Sequence, residues 1–365
     1  MSFIVFYAGH FLFRGELKKK VVKNNIKAAI SGITYKHISK KINGQPQEMN
    51  ILEMDVHLGK VEIKPVLSYD SVYGFESLTS MASRAKAYAA TNAGFFHEYG
   101  QPSGTVIIDE KLITATKSIN PVFILKKASA QLSTLKIDMT ISCSSGSINI
   151  NGINREGKPG ELIIYTSEYG STNRVELASF SMEVNNGEVG KIENQSGNAV
   201  IPQKGMLLTY FKTSSKRVDL SPLERSLRSL KTKDAVKFLY RTNIKDILQA
   251  YECGSWILKN GKVVIKERVP WVGLMTNNDP RTAIGLKSNG NVVLITVDGR
   301  QPGFSIGMTG KEFAAFLLSQ GIKDAALLDG GASTEMIIKG KIVNRISSDG
   351  IERPIGGGII VKVLK

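Results

Sequence analysis

Hydrophobic and polar residues alternate in short runs along most of this chain, a pattern typical of β-strands rather than long helices. Met49–Val56 and Val61–Val66 alternate in this way and predict two strands, joined by a turn at Leu58-Gly59-Lys60. Comparable short runs recur further on and are separated by turn sequences such as Asn185-Asn186-Gly187. The pattern therefore predicts a strand-rich fold.

One amphipathic helix is predicted near the C-terminus, over Lys311–Gln320. Thr309 and Glu312 have the spacing of a capping box, in which each side chain bonds the backbone N–H of the other residue. Gly321 stands where a glycine commonly ends a helix. The helix would bury one apolar face, formed by Phe313, Phe316 and Leu317.

This helix lies between two apolar runs, Val292–Val297 and Ala325–Leu328, each of which predicts a buried strand. Asp298-Gly299-Arg300 directly follows the first strand, and Asp329-Gly330-Gly331 follows the second. If the two strands are parallel, both aspartates lie at the same sheet edge, where ligands of such sheets usually bind. The predicted fold class is α+β: a strand-rich mixed sheet with a few helices, including this strand–helix–strand unit.

The composition is that of a folded protein, since 42% of the 365 residues are hydrophobic and 22% are charged. We divide the chain into an apolar and basic N-terminal segment (1–30), a strand-rich extension (31–87) and a main domain (88–365). The apolar run Phe3–Phe13 is too short to span a bilayer core of about 30 Å. We interpret it as the remainder of a signal or anchor, which predicts an extracytoplasmic location; the alternative is a docked terminal segment.

The chain carries a formal net charge of +16. This favours either attraction to a polyanion, such as a membrane or cell-wall polymer, or simply a solvated basic surface. The sequence contains no recognisable nucleic-acid-binding module, so no specific nucleic-acid partner is expected. The oligomeric state is left open.

Two cysteines, Cys143 and Cys253, are too few for a disulfide framework or a zinc site, and two thiols are favoured over one disulfide. The four histidines form no metal-binding pattern. We therefore predict no catalytic metal site and no required cofactor, while a structural divalent cation is left possible.

Two further residues are candidates beside the aspartates. Arg281 precedes the strand that ends at Asp298, and it either binds an anionic substrate or forms a structural ion pair that holds the loops. Asn92 ends a short apolar strand, and it either bonds a sugar hydroxyl or bonds backbone in its own turn. The neighbouring Phe95 and Phe96 are interpreted as core rather than as a sugar-stacking platform.

Several short strings of residues between about Ala89 and the C-terminus resemble those of the phosphodiester glycosidase family. The resemblance lies in the order and the number of these strings. The strings are Asn92-Ala93-Gly94-Phe95-Phe96, Asn154 with Tyr165-Thr166, Gly254-Ser255-Trp256-Ile257-Leu258, Arg281-Thr282-Ala283-Ile284-Gly285, Asp298-Gly299-Arg300, Leu328-Asp329-Gly330-Gly331-Ala332-Ser333-Thr334, Asn344 and Arg353-Pro354. The chain departs from the family pattern at Ala332-Ser333-Thr334-Glu335 and at Cys253-Gly254-Ser255.

The resemblance implies that residues 88–365 are a catalytic domain that hydrolyses a sugar-1-phosphodiester, similar to a GlcNAc-1-phosphodiester, to a free sugar and a phosphate monoester. A cell-envelope sugar phosphate or glycopolymer is then the expected substrate. The implied catalytic residues are Asp298, Asp329 and Arg281. The implied substrate-binding residues are Asn92, Arg300, Gly330, Gly331, Ser333 and Thr334.

A phosphate monoester leaves more readily than a sugar alcohol, because its second pKa is about 6. Charge neutralisation should then matter more than a strong general acid. We therefore hypothesise that Arg281 binds the phosphate and that Gly330 and Gly331 offer it backbone N–H groups. The roles of the two aspartates, and a retaining or inverting outcome, are left open.

Two other functions are compatible with the same residues. One is a non-catalytic module that binds an anionic cell-envelope glycopolymer. The other is a phosphodiesterase in which the paired aspartates hold a divalent metal.

Overall fold

The computed structural model describes residues 27–30, 32–144, 146–213 and 220–364. Within them the chain forms three helices: α1 (Leu78–Arg84), α2 (Pro222–Arg228) and α3 (Gly310–Ser319). The strands of the first half are β1 (Lys27–Ile30), β2 (Ile33–Ile42), β3 (Gln45–Met54), β4 (Val61–Leu67), β5 (Ala89–Asn92), β6 (Val106–Ile108), β7 (Lys111–Thr114), β8 (Val122–Lys126), β9 (Ser129–Ser133), β10 (Ile137–Cys143), β11 (Gly146–Asn149), β12 (Gly152–Ile153), β13 (Leu162–Tyr165) and β14 (Ala178–Asn185). Those of the second half are β15 (Glu188–Ser196), β16 (Gly205–Phe211), β17 (Val236–Thr242), β18 (Gln249–Glu252), β19 (Trp256–Lys259), β20 (Lys262–Val263), β21 (Arg268–Val269), β22 (Gly273–Leu274), β23 (Arg281–Lys287), β24 (Val292–Val297), β25 (Ile322–Leu327), β26 (Met336–Ile338), β27 (Lys341–Ile342) and β28 (Gly357–Val363).

An eight-stranded sheet carries both acidic turns. Its strand order is β1-β2-β3-β24-β23-β25-β19-β20. β23 lies between β24 and β25 and is antiparallel to both, with Arg281 opposite Val297 and Ala283 opposite Leu327. β24 and β25 therefore run in the same direction, and their carboxyl ends meet the start of β23 at one edge of the sheet.

The predicted strand–helix–strand unit is confirmed, and so is the strand-rich α+β class. Thr309 and Glu312 form the complete capping box at the start of α3. The apolar face of the helix packs on the eight-stranded sheet, because Phe313 and Leu317 are fully buried beside Ile295 and Ala325. Burial of each such side chain contributes about 1.5–3 kcal/mol.

A second, five-stranded sheet lies on the other face and has the order β27-β26-β5-β28-β4. The largest apolar cluster joins the two sheets; it includes Leu52, Leu294 and Ala326 from the first and Ile63 and Ile359 from the second. This packing of the two sheets brings Asn92, the site residue at the end of β5, into contact with the 329–334 turn.

The two strands predicted around residue 58 both form, as β3 and β4, but they do not pair with each other. The chain turns through a single helical turn at Val56–Leu58 and leaves it at Gly59, which has a φ of 63°. β3 then pairs with β24, and β4 pairs with β28. The domain boundary between residues 87 and 88 stays a prediction. Each of the two sheets contains strands from both sides of this boundary.

The remaining strands form three smaller sheets and a hairpin. The orders are β7-β6-β18-β8-β9, β12-β13-β16-β14-β15 and β11-β10-β17, and β21 pairs with β22. No disulfide joins Cys143 and Cys253, and Cys253 is buried. Most of the segment 1–30, including Phe3–Phe13, lies outside the described residues. Of the helices within the described part of the chain, none is long and apolar enough to cross a bilayer.

Candidate functional site

The two acidic turns pack against opposite sides of the backbone at Pro280. A Cβ added at Gly299 would lie 2.6 Å from the Pro280 nitrogen, and one added at Gly330 would lie 2.9 Å from the Pro280 carbonyl oxygen. Side chains have no room at such distances, so both turns need glycine for this close approach. The glycines therefore bring Asp298 and Asp329 to either side of the start of β23.

Asp298 is almost fully buried, with 2% of its surface exposed. Its Oδ2 atom accepts the backbone N–H of Arg345 at 2.9 Å, whereas Oδ1 has no hydrogen-bonding partner among the described residues. Burial raises the pKa of Asp298 to about 7, and the nearby Glu48 acts in the same direction. Asp298 is thus a carboxyl group with one uncommitted oxygen that titrates near neutrality.

Asp329 is half-buried and lies beside polar and cationic groups. Burial raises its pKa, while the Ser333 hydroxyl, Arg353 and the Gly330 N–H oppose that rise. Arg353 donates to the Ser333 hydroxyl at 3.2 Å. Asp329, Ser333 and Arg353 therefore form one connected polar group.

Thr334 and Asn344 lie between the two aspartates. The Asn344 amide donates to the Thr334 carbonyl at 3.0 Å, and its proximity to Asp298 lowers the pKa of that carboxyl group. The Thr334 hydroxyl accepts from Thr282 of β23 at 3.4 Å. Because Ser333 is adjacent to Thr334, the 329–334 turn links the surroundings of both carboxyl groups.

Asn92 is fully engaged inside the protein. Its Nδ2 donates to the Asp329 backbone carbonyl at 2.6 Å, and its Oδ1 accepts from the Thr282 hydroxyl and the Glu335 N–H. Nδ2 also donates to the carbonyl group of the adjacent Ala93 at 3.3 Å, so the predicted bond to backbone in its own turn forms alongside the bond to the acidic turn.

The geometry favours the structural alternative for Arg281. Its guanidinium is buried and donates to the carbonyl groups of Met308 and Asn277, with Asp279 3.8 Å away. Thr282, the next residue of β23, contacts Asn92 and Thr334 on the opposite face of the strand. The hypothesis that Arg281 binds the phosphate is therefore not supported, because its side chain lies on the α3 face and away from Thr334.

The two glycine N–H groups predicted to face a phosphate are also committed. Gly330 donates to the Asp329 carboxylate at 2.9 Å, and Gly331 donates to the Pro280 carbonyl at 3.0 Å. The exposed Arg300 instead lies over this turn: its guanidinium atoms are 3.2–3.5 Å from where a Cβ of Gly331 would stand. Arg300 is held there by Asp279 at 3.0 Å.

Three residues of the C-terminal segment complete the site and were not among the predicted site residues. The Arg345 N–H bonds the Asp298 carboxyl group, Asn344 lowers the pKa of that group, and Arg353 reaches Ser333. Asn344 and Arg353 occur in the strings that carry the family resemblance, which is the signal that pointed to them. Within the described ranges, no three His, Cys, Asp or Glu side chains are grouped so as to hold a metal ion.

Residues 178–362, just over half of the chain, match the family model described as phosphodiester glycosidase. Among curated proteins, the SPbeta prophage-derived protein YomE of Bacillus subtilis is 40% identical over 111 residues. That match covers 30% of this chain and only 17% of YomE.

Solved structures with the same fold include a hypothetical protein from Synechocystis. It aligns with a TM-score of 0.75 and 19% identity, over 91% of this chain and 62% of that one. A protein of Burkholderia pseudomallei K96243, described as exported, aligns with a TM-score of 0.69 and 20% identity, over 87% of this chain and 74% of that one. At these identities the likeness concerns the fold.

Proposed function

Because the chain belongs to the phosphodiester glycosidase family, we propose that it hydrolyses the glycosidic bond of a sugar-1-phosphodiester. Water adds to the anomeric carbon, the bond from that carbon to the phosphate oxygen breaks, and a proton passes to the leaving phosphate. The products are a free sugar and a phosphate monoester. A GlcNAc-1-phosphodiester is the first substrate to test.

One observation carries this proposal: two carboxyl groups with raised pKa values flank the start of β23 in different surroundings. Glycosidases commonly use two such groups in different protonation states, one as an acid and one as a base or nucleophile. Asp329 adjoins Arg353 and Ser333, whereas Asp298 is enclosed beside Asn344.

We assign the phosphate to the side of Asp329. Arg353 reaches Ser333 there, and Arg300 lies over Gly331, so two exposed guanidinium groups adjoin the same turn. Guanidinium groups bind phosphate through paired, charge-assisted hydrogen bonds. A phosphate at this point disfavours an ionised carboxylate beside it, which suits Asp329 to act as the proton donor.

Asp298 is then the base that orients the attacking water or stabilises positive charge at the anomeric carbon. Its free Oδ1 is the atom for this contact, since Oδ2 is held by the Arg345 N–H. With a pKa of about 7 the group is ionised only near and above neutral pH. In this account Asn92, Gly330 and Gly331 position the turn and do not bind substrate directly. Arg281 is likewise a positioning residue.

The proposal needs no cofactor. We also propose an extracytoplasmic location, which is supported by the exported description of the Burkholderia protein and by the basic charge of this chain. An anionic cell-envelope polymer would be attracted to a net charge of +16.

Proton NMR of the purified protein with a methyl GlcNAc-1-phosphodiester and with UDP-GlcNAc tests the activity directly. We expect new anomeric signals of free sugar, and the first-formed anomer reports retention or inversion. Asp298→Asn should abolish release, whereas Asp138→Asn, which changes an exposed aspartate on β10, should not. Loss of release with EDTA, restored by Mg²⁺ or Mn²⁺, would instead favour metal-dependent chemistry.

A further inference from the structure

Three aromatic rings form a stack beside the Asp329 turn. Trp271 lies parallel to Phe95, with ring centroids 5.9 Å apart and an interplanar angle of 15°. His97 meets Trp271 edge-on at 5.1 Å. Phe95 is buried, but 51% of Trp271 is exposed, so the indole keeps a large open surface.

The backbone holds Trp271 in an unusual conformation to present this surface. The residue stands in the turn between β21 and β22 with a φ of 68°, a region that bulky side chains rarely adopt. Such strain persists only where surrounding structure enforces it, and it concentrates at ligand-binding sites.

The stack is fixed to the edge of the candidate site. A Cβ added at Gly254 would lie 2.5 Å from the Phe95 ring and 3.4 Å from the Leu327 carbonyl, so Phe95 packs close to the end of β25. Two residues before Phe95, the Ala93 carbonyl accepts the backbone N–H of Asp329 at 3.0 Å. Trp271 therefore stands on the Asp329 side of the site.

His97 continues this surface into a groove of about 670 Å³. A groove of this volume is in the range of about 300–1,000 Å³ typical of ligand sites. Its lining is mixed: the polar and aromatic side chains of Tyr73, Tyr99, Gln101, Arg155 and Lys158 lie beside Glu98, Glu156 and apolar residues such as Val72 and Ile153. The stack and the groove thus form one surface that leads away from Asp329.

We propose that this surface binds further sugar rings of the substrate, so that the enzyme prefers an oligosaccharide or glycopolymer carrying the phosphodiester. The inference rests on the proposed function for the identity of the adjoining site. One face of a pyranose ring presents mainly C–H groups, and these pack on an open indole with loss of hydrated apolar surface. The hydroxyl groups of the following rings then meet the polar side chains of the groove.

Direct binding tests the surface independently of turnover. The probes are neutral tetrasaccharides, one of β-1,4-linked GlcNAc and one of α-1,4-linked glucose. We expect at least one to quench the fluorescence of the full chain, and Trp271→Phe to lose that quenching while Trp256 remains. Trp271→Ala should weaken binding about 10- to 50-fold. Leu274→Ala, at an equally exposed position on the same hairpin and outside the ring stack, should bind within about twofold of the wild type.

Turnover separates this inference from the proposed function. The measurement is kcat/KM for a GlcNAc-1-phosphodiester and for the same phosphodiester on a tetrasaccharide. A preference of tenfold or more for the longer substrate, lost in Trp271→Ala with the short substrate unaffected, supports the surface. Tetrasaccharide binding without any turnover would leave the surface standing and reject the function. Equal values for the two substrates, or no quenching by either sugar, would reject the surface.

Discussion

The side-chain amide of Asn92 donates a 2.6 Å hydrogen bond to the backbone carbonyl of Asp329. The bond connects the end of β5 in one sheet with the turn after β25 in the other. Because the Asn92 oxygen also accepts the Glu335 N–H at 3.2 Å, both ends of the 329–335 segment are tied to one buried side chain. The geometry of the acidic turn thus depends on the packing of the two sheets.

Asn92→Asp should disrupt this turn, because a carboxylate oxygen would face the Asp329 carbonyl in place of a donor. We expect the free energy of unfolding to fall by about 2–4 kcal/mol, as for a buried, unmatched polar group. Turnover should fall with it. Denaturant titration measures the first effect. Asn289→Asp is the matched control, since Asn289 only accepts a backbone N–H in an exposed turn and aspartate can do the same. Unchanged stability in Asn92→Asp would be inconsistent with this role.

Arg353→Ala should weaken binding of charged substrates selectively. Loss of a charge-assisted contact to phosphate is worth roughly 1.5–3 kcal/mol, or about 10- to 150-fold in KM. An uncharged aryl glycoside should be affected little. Arg241→Ala on β17 serves as the control, because this exposed arginine also lowers the net charge by one. Equal losses on both substrates would remove Arg353 from the phosphate site.

Arg281→Ala should lower the free energy of unfolding, and this effect should be larger than its effect on substrate binding. The substitution leaves the carbonyl groups of Met308 and Asn277 without their buried donor, which predicts a loss of about 2–4 kcal/mol in the free energy of unfolding. Thermal and denaturant unfolding measure it. A fully stable variant with a raised KM only for charged substrates would return Arg281 to the phosphate-binding role.

The local pattern was sufficient to predict the strands and helix that carry the acidic turns. Val292–Val297 is an apolar run interrupted only by Thr296 and forms β24 at the same residues, and Thr309 with Glu312 marks the start of α3. These signals act over a few residues, so they can be recognised in sequence. The shared sheet edge also followed, since the helix connects two strands that run in the same direction.

Contacts between distant segments could not be predicted in this way. Nothing local indicates that Pro280 packs between Gly299 and Gly330, or that Arg353 reaches Ser333. The burial of Arg281 is likewise set by long-range packing, because an arginine at a strand end is more often exposed. The role expected for Arg281 therefore had to be revised while the positions of Asp298 and Asp329 did not.

Glu335 should make stability depend on pH. Burial raises its pKa from 4.5 to about 9, and a hydrogen bond with the Glu352 carboxyl group acts in the same direction. The folded protein then keeps a proton that the unfolded chain loses, so the contribution of Glu335 to stability is fully present below about pH 4.5 and is lost as pH rises towards 9.

Glu335→Gln should remove this part of the dependence, because glutamine does not titrate. Relative to the wild type, the variant should gain up to about 6 kcal/mol in the free energy of unfolding between pH 4 and pH 9. Denaturant titrations across this range measure the difference. Glu176→Gln, at an exposed position, should keep the wild-type slope. A slope in Glu335→Gln equal to that of the wild type would show that Glu335 does not hold the proton.

Asp298 is assigned as the base in hydrolysis of a sugar-1-phosphodiester. The most direct test is the pH dependence of kcat/KM for a GlcNAc-1-phosphodiester, measured on the wild type, Asp298→Asn and the Asp138→Asn control. We predict that wild-type kcat/KM has an acid limb and a basic limb, because Asp298 must be ionised while Asp329 keeps its proton; Asp138→Asn should follow this profile, and Asp298→Asn should lose at least about 1,000-fold. Full activity in Asp298→Asn, or a wild-type profile without an acid limb, would contradict this role of Asp298.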